Sequence, residues 1–374
     1  MSPIDRERML QTFLALVTTD SGSLKEGKMA DQVESRLRAM GFEVWRDDAG
    51  QKVGGETGNV IGRLPGTRQG RTLLLTAHMD RVTPGTGIKP QIKNGEITSD
   101  GTTILGADDA AGITAILEGV RTALDQGIER PTIEVIFSIG EEIGLLGSRN
   151  VDLTQLTAKE CYVLDSSTPV GCMICQAPAQ AKLNFTIIGK AAHAGVEPEK
   201  GISALQVAAK AIANMKLGRI DEETTANFGI VRGGTATNIV MEKLELLGDV
   251  RSLQMPKLEA QVEHMTRCIA EACEAAGARY EREYSIAYGP LNLKPEDFVV
   301  RQAEAAIRRA GLEPQRRATG GGSDANMYNT RGLQAINLGC GYRGAHSLKE
   351  TQSIEGLENL CRVVLGLIEV YAGL

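Results

Sequence analysis

No stretch of this sequence stays apolar for the roughly 20 residues that a membrane-crossing helix requires, so a helical membrane protein is excluded. Positive charge is not in excess either. Lys and Arg total 41 against 47 Asp and Glu, a formal net charge of −6. That balance argues against a broad nucleic-acid surface, which needs clustered cations, and Arg316-Arg317 reads as a solvated face. The opening residues Met1-Ser2-Pro3-Ile4-Asp5-Arg6-Glu7-Arg8 lack a basic start followed by an apolar stretch, so no secretory signal is expected. Seven cysteines, an odd number scattered from Cys161 to Cys361, lack the paired spacing of a disulfide framework and suit a reducing compartment. The expected location is the cytoplasm. Histidine is scarcer still, with four in the chain, so the surroundings of each carry weight.

What is present is the balance of a globular protein, 42% hydrophobic and 24% charged. A length of 374 residues makes two domains the default. Apolar positions at helical spacing mark helices over 5–17 and 26–40. Strands follow at Val60–Leu64 and Thr72–Ala77, then a helix over Ala110–Leu124 and strands at Thr132–Ile139 and Glu160–Asp165. Runs such as Leu73-Leu74-Leu75 are apolar on both faces, as central strands of a covered parallel sheet are. The alternation of strands and helices predicts an α/β sandwich with a mostly parallel sheet.

The pattern changes after Pro178. Residues 181–188 alternate as a sheet with one wet face should. A helix at 201–216, strands near 225–232 and 244–251, a helix at 256–276 and a strand at 279–287 complete a β-α-β-β-α-β order, the ferredoxin-like arrangement. Pro290 and Pro295 punctuate a return to α/β pattern, with a helix over 296–310, a strand at 335–338 and a helix over 353–371. The expected organisation is a catalytic domain in two parts, 1–178 and 291–374, with a smaller domain inserted at 179–290.

Chemistry-bearing residues gather where those strands end. His78 and Asp80 follow the strand Thr72–Ala77, and ligand sites of open α/β sheets lie at that edge. Asp80 is placed to steady a metal-bound imidazole. Asp108-Asp109 opens a helix among glycines that permit close backbone approach. Glu141-Glu142 ends another apolar strand, and two adjacent acids repel unless a cation relieves them. One can coordinate a metal while the other serves as a general base. Asp165 ends a third strand, and His346 lies just beyond a fourth. Each residue alone reads equally well as a cap or a surface loop; their convergence does not. Two imidazoles and three carboxylates, without thiolate, suit Zn²⁺, Co²⁺ or Mn²⁺, and sharing one carboxylate between two ions would give a paired hydrolytic site.

These residues resemble the zinc exopeptidases of the peptidase T, carboxypeptidase G and aminoacylase type over nearly the whole chain. The matching segments are H-x-D at 78–80, G-A-D-D at 106–109, E-E-x-G at 141–144, Asp165, and His346 followed by Glu350. Gly189–Gly195 is similar to the family's histidine loop, and Thr237-Asn238 and Asp249-Val250-Arg251 to its substrate-contact segments. Gly320–Asn326 and Gly341-Tyr342 point to the peptidase T-like branch. The resemblance implies two divalent ions, zinc first. One would be held by His78, Asp108 and Asp165, the other by Asp108, Glu142 and His346. It further implies Glu141 as general base, Asp80 behind His78, His193 as an oxyanion donor reaching across a homodimer formed by the inserted lid, and Asn238 and Arg251 as substrate contacts. The implied activity is removal of N-terminal residues from di- and tripeptides; an aspartate at 165 is associated with aminopeptidases and acylases.

Other readings stand beside it. The alternative enzyme is an amidohydrolase or carboxypeptidase acting on N-acylated amino acids with the same centre. A non-catalytic metal-binding scaffold is a third, but it has no need of Glu141. Gly339-Cys340-Gly341-Tyr342-Arg343-Gly344 spells G-x-G-x-x-G after a strand, yet the acidic ribose contact about 20 residues on is missing. Gly320–Gly322 lacks the Lys-Ser/Thr of a phosphate loop. Cys172 and Cys175 read as ordinary buried thiols, and His264 as a satisfied surface residue.

Overall fold

In the computed structural model, which describes residues 4–374, seven strands of a nine-stranded sheet run in the order Glu43–Arg46, Val60–Leu64, Ile133–Ser138, Leu73–His78, Glu160–Ser166, Gln334–Gly339, Cys172–Ala177. Met1-Ser2-Pro3, part of the stretch inspected for a secretory signal, lies outside the described residues. The four strands from Ile133–Ser138 to Gln334–Gly339 are mutually parallel. Leu73–His78 and Ile133–Ser138 are buried at every position, which is why their sequences do not alternate. The helix Ala107–Asp125 packs against Leu73–His78 and Glu160–Ser166 and against the helix Ile354–Tyr371. Leu74, Ile136, Cys161, Val163 and Ala335 join Ala325 and Tyr328 of the helix Asp324–Thr330 in one apolar cluster.

The functional consequence is geometric. Parallel strands share one C-terminal edge, and there the chain presents His78, the loop after Ser138, Asp165, and the loop after Gly339. The first of two compact units contains all of these: it runs to Cys175 and includes Leu293–Ala318 and Ser323–Leu374. It also holds a small three-stranded sheet absent from the expected elements. Gln91–Lys93 and Glu96–Thr98 form a hairpin to which Thr351–Ser353 pairs. Its turn, Asn94-Gly95, has positive φ at both residues, the conformation that Asn-Gly favours in two-residue hairpins.

The second unit comprises Gln176–Asn292 and Thr319–Gly322. Its antiparallel sheet runs Gly218–Arg219, Thr224–Gly233, Lys243–Ser252, Ala179–Ile188, Arg279–Tyr288. With the helices Ala204–Ala213 and Met255–Ala276 the four long strands give the expected β-α-β-β-α-β order, to which the two-residue strand Gly218–Arg219 is added at the edge. In Ala179–Ile188 every second residue is buried, and Leu183, Phe185 and Ile187 enter a core with Val207 and Ala211 of one helix and Leu258 and Ile269 of the other. No helix among the described residues is long and apolar enough to cross a membrane.

Candidate metal centre

His78 is the last residue of its strand and is buried. Its Nδ1 lies 2.9 Å from the backbone oxygen of Asp80, so that nitrogen carries the proton and donates. The other nitrogen, Nε2, is left as a ligand atom. It stands 3.0 Å from Asp108 Oδ1 and 3.6 Å from Asp165 Oδ1. The steadying of His78 expected from the Asp80 carboxylate comes chiefly from the Asp80 carbonyl, with the carboxylate 3.5 Å away. That carboxylate instead accepts from the backbone N–H of Glu141 at 2.8 Å and of Glu142 at 3.3 Å, and from the Ser23 hydroxyl at 2.6 Å.

Asp108 is not a simple helix cap. Gly106 before it adopts φ +72°, a conformation suited to glycine. The N–H groups of Gly106 and Asp108 donate to Glu350, at 2.7 and 3.0 Å. Asp109 accepts from the N–H of His78 and of Gly112. Held in this way, Asp108 turns its oxygens in two directions: Oδ1 toward His78, and Oδ2 toward His346 Nε2 at 3.3 Å. His346 also meets Glu142 Oε1 at 2.9 Å. Asp165 is aligned through Asn337 on the neighbouring parallel strand, whose amide bonds both its N–H and its carbonyl. The Tyr342 hydroxyl donates to Asp108 Oδ1 and Asp165 Oδ1, at 3.2 and 3.3 Å.

Two ligand triads emerge, His78–Asp108–Asp165 and Asp108–Glu142–His346, each with its donor atoms within 4.8 Å of one another. Atoms bound at about 2.0–2.2 Å to one tetrahedral ion stand roughly 3.3–3.6 Å apart. The His78–Asp165 and His346–Asp108 spacings of 3.6 and 3.3 Å fall in that range, and the 3.0 and 2.9 Å contacts lie slightly inside it. The residues therefore fit a pair of divalent cations. His78, Glu141 and Glu142 form a third such group.

The electrostatics agree. Burial alone would depress the His78 pKa, but Asp108, Asp165 and Asp80 overcome it and hold it well above the usual histidine value. Hydrogen bonds to Asp108 and Glu142 raise His346 to about 10. Burial pushes Asp165 up to about 7, against the pull of His78. Glu141 is half-buried, and desolvation followed by the charge of Asp165 drives its carboxyl well above the ordinary range. Negative groups outweigh the two imidazoles, and added cationic charge would relieve the excess.

The remaining candidates lie in the second unit. His193 is exposed; its Nδ1 accepts from the Gly195 N–H at 3.2 Å, and its backbone bridges to Ile239. Asn238, also exposed, accepts from the Ala194 N–H through its carbonyl oxygen. Arg251 pairs with Asp249 at 2.8 Å and donates to the Gly320 carbonyl at 3.1 Å. Away from these sites, His264 accepts from the Lys216 N–H, and Cys172 and Cys175 are buried free thiols on one strand. Gly339–Gly344 leads into a loop and the short strand Thr351–Ser353, with no helix at its end.

The sequence reading gave no role to Tyr342 or Asp109 and treated Glu350 only as a motif neighbour. Asp109 carried a signal in its adjacency to Asp108. Tyr342 and Glu350 reach Asp108 across 234 and 242 residues of chain, and no local pattern announces such contacts.

A family model described as Peptidase family M20/M25/M40 matches residues 74–370. The uncharacterised protein YqjE of Bacillus subtilis strain 168 is 43% identical over 366 residues, covering 98% of this chain and 99% of its own. Among solved structures, aminopeptidase PepT from Bacillus cereus ATCC 10987 has 42% identity and a TM-score of 0.93 over 99% of each chain. A tripeptidase from Staphylococcus aureus subsp. aureus Mu50 has 37% identity and a TM-score of 0.95 over 100% of each.

Proposed function

Since this chain belongs to peptidase family M20/M25/M40 and is a metal-dependent hydrolase of that family, we propose that it is a dinuclear aminopeptidase releasing N-terminal residues from di- and tripeptides. The observation that carries the dinuclear reading is the two-way presentation of Asp108, one oxygen to His78 and the other to His346. His78, Asp108 and Asp165 would hold one ion and Asp108, Glu142 and His346 the other. The His and carboxylate donors favour Zn²⁺, with Co²⁺ or Mn²⁺ as substitutes. When bound, the ions supply Lewis acidity to the scissile carbonyl.

The chain's own groups do the rest. Glu141 takes the proton of the attacking water and returns it to the leaving amine, the work of a general base that then acts as an acid. Asp80 fixes Glu141 and Glu142 through their N–H groups. A cavity of about 620 Å³ beside Glu142 and Ile143, lined also by Ser23, Lys25, Lys28 and Arg81, is within the size range of small-ligand pockets. The short-peptide assignment follows what the Bacillus cereus and Staphylococcus aureus structures are called, an aminopeptidase and a tripeptidase. Residues 179–290 would serve as lid and dimerisation domain, His193 as a donor to the oxyanion from a partner subunit, and Asn238 and Arg251 as substrate contacts. Seven free, buried cysteines support a cytoplasmic setting.

The test combines metal analysis with a substrate panel. Two ions per chain, hydrolysis of free-amine di- and tripeptides, and inertness toward N-acetylated counterparts are expected. Preference for the N-acetylated set would replace the aminopeptidase reading with the amidohydrolase one. One ion per chain in a fully active sample would remove the dinuclear centre.

A further inference from the structure

Glu26 occupies the N-cap position of the helix Gly27–Ala39, yet its side chain does not cap that helix. N-cap positions favour short Ser, Thr, Asp or Asn, whose side chains reach back to the first turn, so a glutamate there calls for another explanation. Glu26 is fully buried. Its Oε1 accepts two backbone N–H groups, Leu24 at 2.9 Å and Gly140 at 3.0 Å. Gly140 immediately precedes Glu141 and turns the chain there at φ +56°.

The neighbouring contacts show what this bond belongs to. Four successive N–H groups leaving the strand Ile133–Ser138 are held by side chains from elsewhere in the same unit. Ile139 donates to Asn59 Oδ1 at 3.1 Å, Gly140 to Glu26, and Glu141 and Glu142 to the two oxygens of Asp80. Asn59 also donates to the Gly147 carbonyl at the far end of the loop. Backbone N–H groups so close to a reacting centre are more cheaply satisfied by water or by a regular turn. Here buried acceptors fix them one by one, and that fixes where the Glu141 carboxylate points.

We propose that Glu26 is a positioning residue for Glu141, acting as a hydrogen-bond acceptor of fixed reach that sets the Gly140 turn. This rests on Glu141 being the general base. The role needs the oxygen and its distance, not the charge: Oε2 has no hydrogen-bond partner among the described residues. Glutamine can therefore keep the Oε1 contacts, whereas aspartate keeps the charge but falls one methylene short.

The experiment compares Glu26→Gln and Glu26→Asp in the metal-loaded enzyme, with Glu141→Gln alongside. Glu26→Asp should lower kcat about 10–100-fold with KM little changed, the scale of a small misplacement of a catalytic group. Glu26→Gln should stay near wild type, and both should retain full metal content. In the metal-free proteins, amide exchange at Gly140 should accelerate in Glu26→Asp and not in Glu26→Gln, while Gly112 stays protected in both. Equal kcat in the two variants, or a loss in Gln greater than in Asp, overturns the proposal, as does unchanged Gly140 exchange in Glu26→Asp. If Glu141→Gln remains active, the general-base reading fails by itself, and Gly140 exchange still reports whether Glu26 fixes the turn.

Discussion

The candidate side chains of the first unit are bonded mainly to buried groups distant in sequence, whereas His193 and Arg251 in the second make their shortest side-chain bonds two residues away, Arg251 also reaching Gly320. His78 meets Asp108 thirty residues on, Asp80 reaches Glu141, and Glu350 holds the Asp108 backbone from 242 residues away. His193 is bonded to Gly195, and Arg251 is paired with Asp249, each two residues away. Buried contacts between remote segments specify one arrangement and resist change, because breaking any of them strands a polar group in the interior. Exposed local contacts cost little to rearrange. The candidate ligands of the first unit are thus held in one arrangement, while His193 and Asn238 in the second are exposed and less constrained.

The sharpest way to break that contrast is to remove its most shared atom pair. Asp108→Ala takes a donor from both triads and leaves each with two. Metal content should fall from two ions per chain toward none, and kcat by at least ~10³-fold, beyond the 10–100-fold typical of partners one step removed from a metal. Glu142→Ala, which takes a donor from only one of the two triads that share Asp108, should lose a single ion. Two ions retained in Asp108→Ala, measured after dialysis, would mean that the carboxylate is not shared.

His193→Ala probes the second unit. Under the proposed role kcat drops about 10²–10³-fold, the usual loss for one oxyanion donor, with metal content unchanged because His193 belongs to neither triad. Heterodimers assembled from His193→Ala and Glu141→Gln chains should regain part of the activity, since one site then combines Glu141 of one chain with His193 of the other. No recovery in verified heterodimers would confine His193 to its own chain or to a structural task.

How much of this could be read in advance follows the same division. That His78, Glu142 and Asp165 come together was legible because each lies at or just beyond the end of an apolar strand, and parallel strands share an edge. Asp108 and His346 were legible as ligand types beside such strands. The β-α-β-β-α-β order was visible in the switch of hydrophobic period after Pro178. Glu26, Asn59, Tyr342 and Glu350 were not, since their roles depend on which remote backbone groups they meet. The Asp80 carboxylate lies behind His78 as expected, at 3.5 Å, and its further hold on the loop after Ser138 was not legible. The hairpin at Asn94-Gly95 was missed although its turn signal is strong, because strands of three residues leave too short a run for alternation to register. Nor does composition announce that Thr319–Gly322 returns to the second unit.

The smallest expected effect sharpens the comparison from the other side. Lys257 in the second unit pairs with Asp221 at 3.2 Å and Glu223 at 2.6 Å. Hydrogen bonding holds both carboxyls below their usual values, through the Glu223 backbone for Asp221 and through Lys257 and Gln254 for Glu223. A depressed folded pKa gives stability that is present above the unfolded value and lost as pH falls through the folded one. The contribution should therefore be intact at pH 6, begin to fall near the ordinary carboxyl values of about 4, and be lost as pH drops through the depressed folded values. All three groups are at least partly open to solvent, so salt screens them, whereas burying one large apolar side chain such as Phe185 contributes about 1.5–3 kcal/mol. The core of this unit should decide its stability and the ion pairs only trim it. Lys257→Met should lower the thermal midpoint slightly at pH 6 in low salt, and the difference from wild type should shrink as pH falls below about 4 and vanish in 1 M salt. A large loss that persists under either condition would show that Lys257 is part of a specific structural network, and the second unit would then resemble the first.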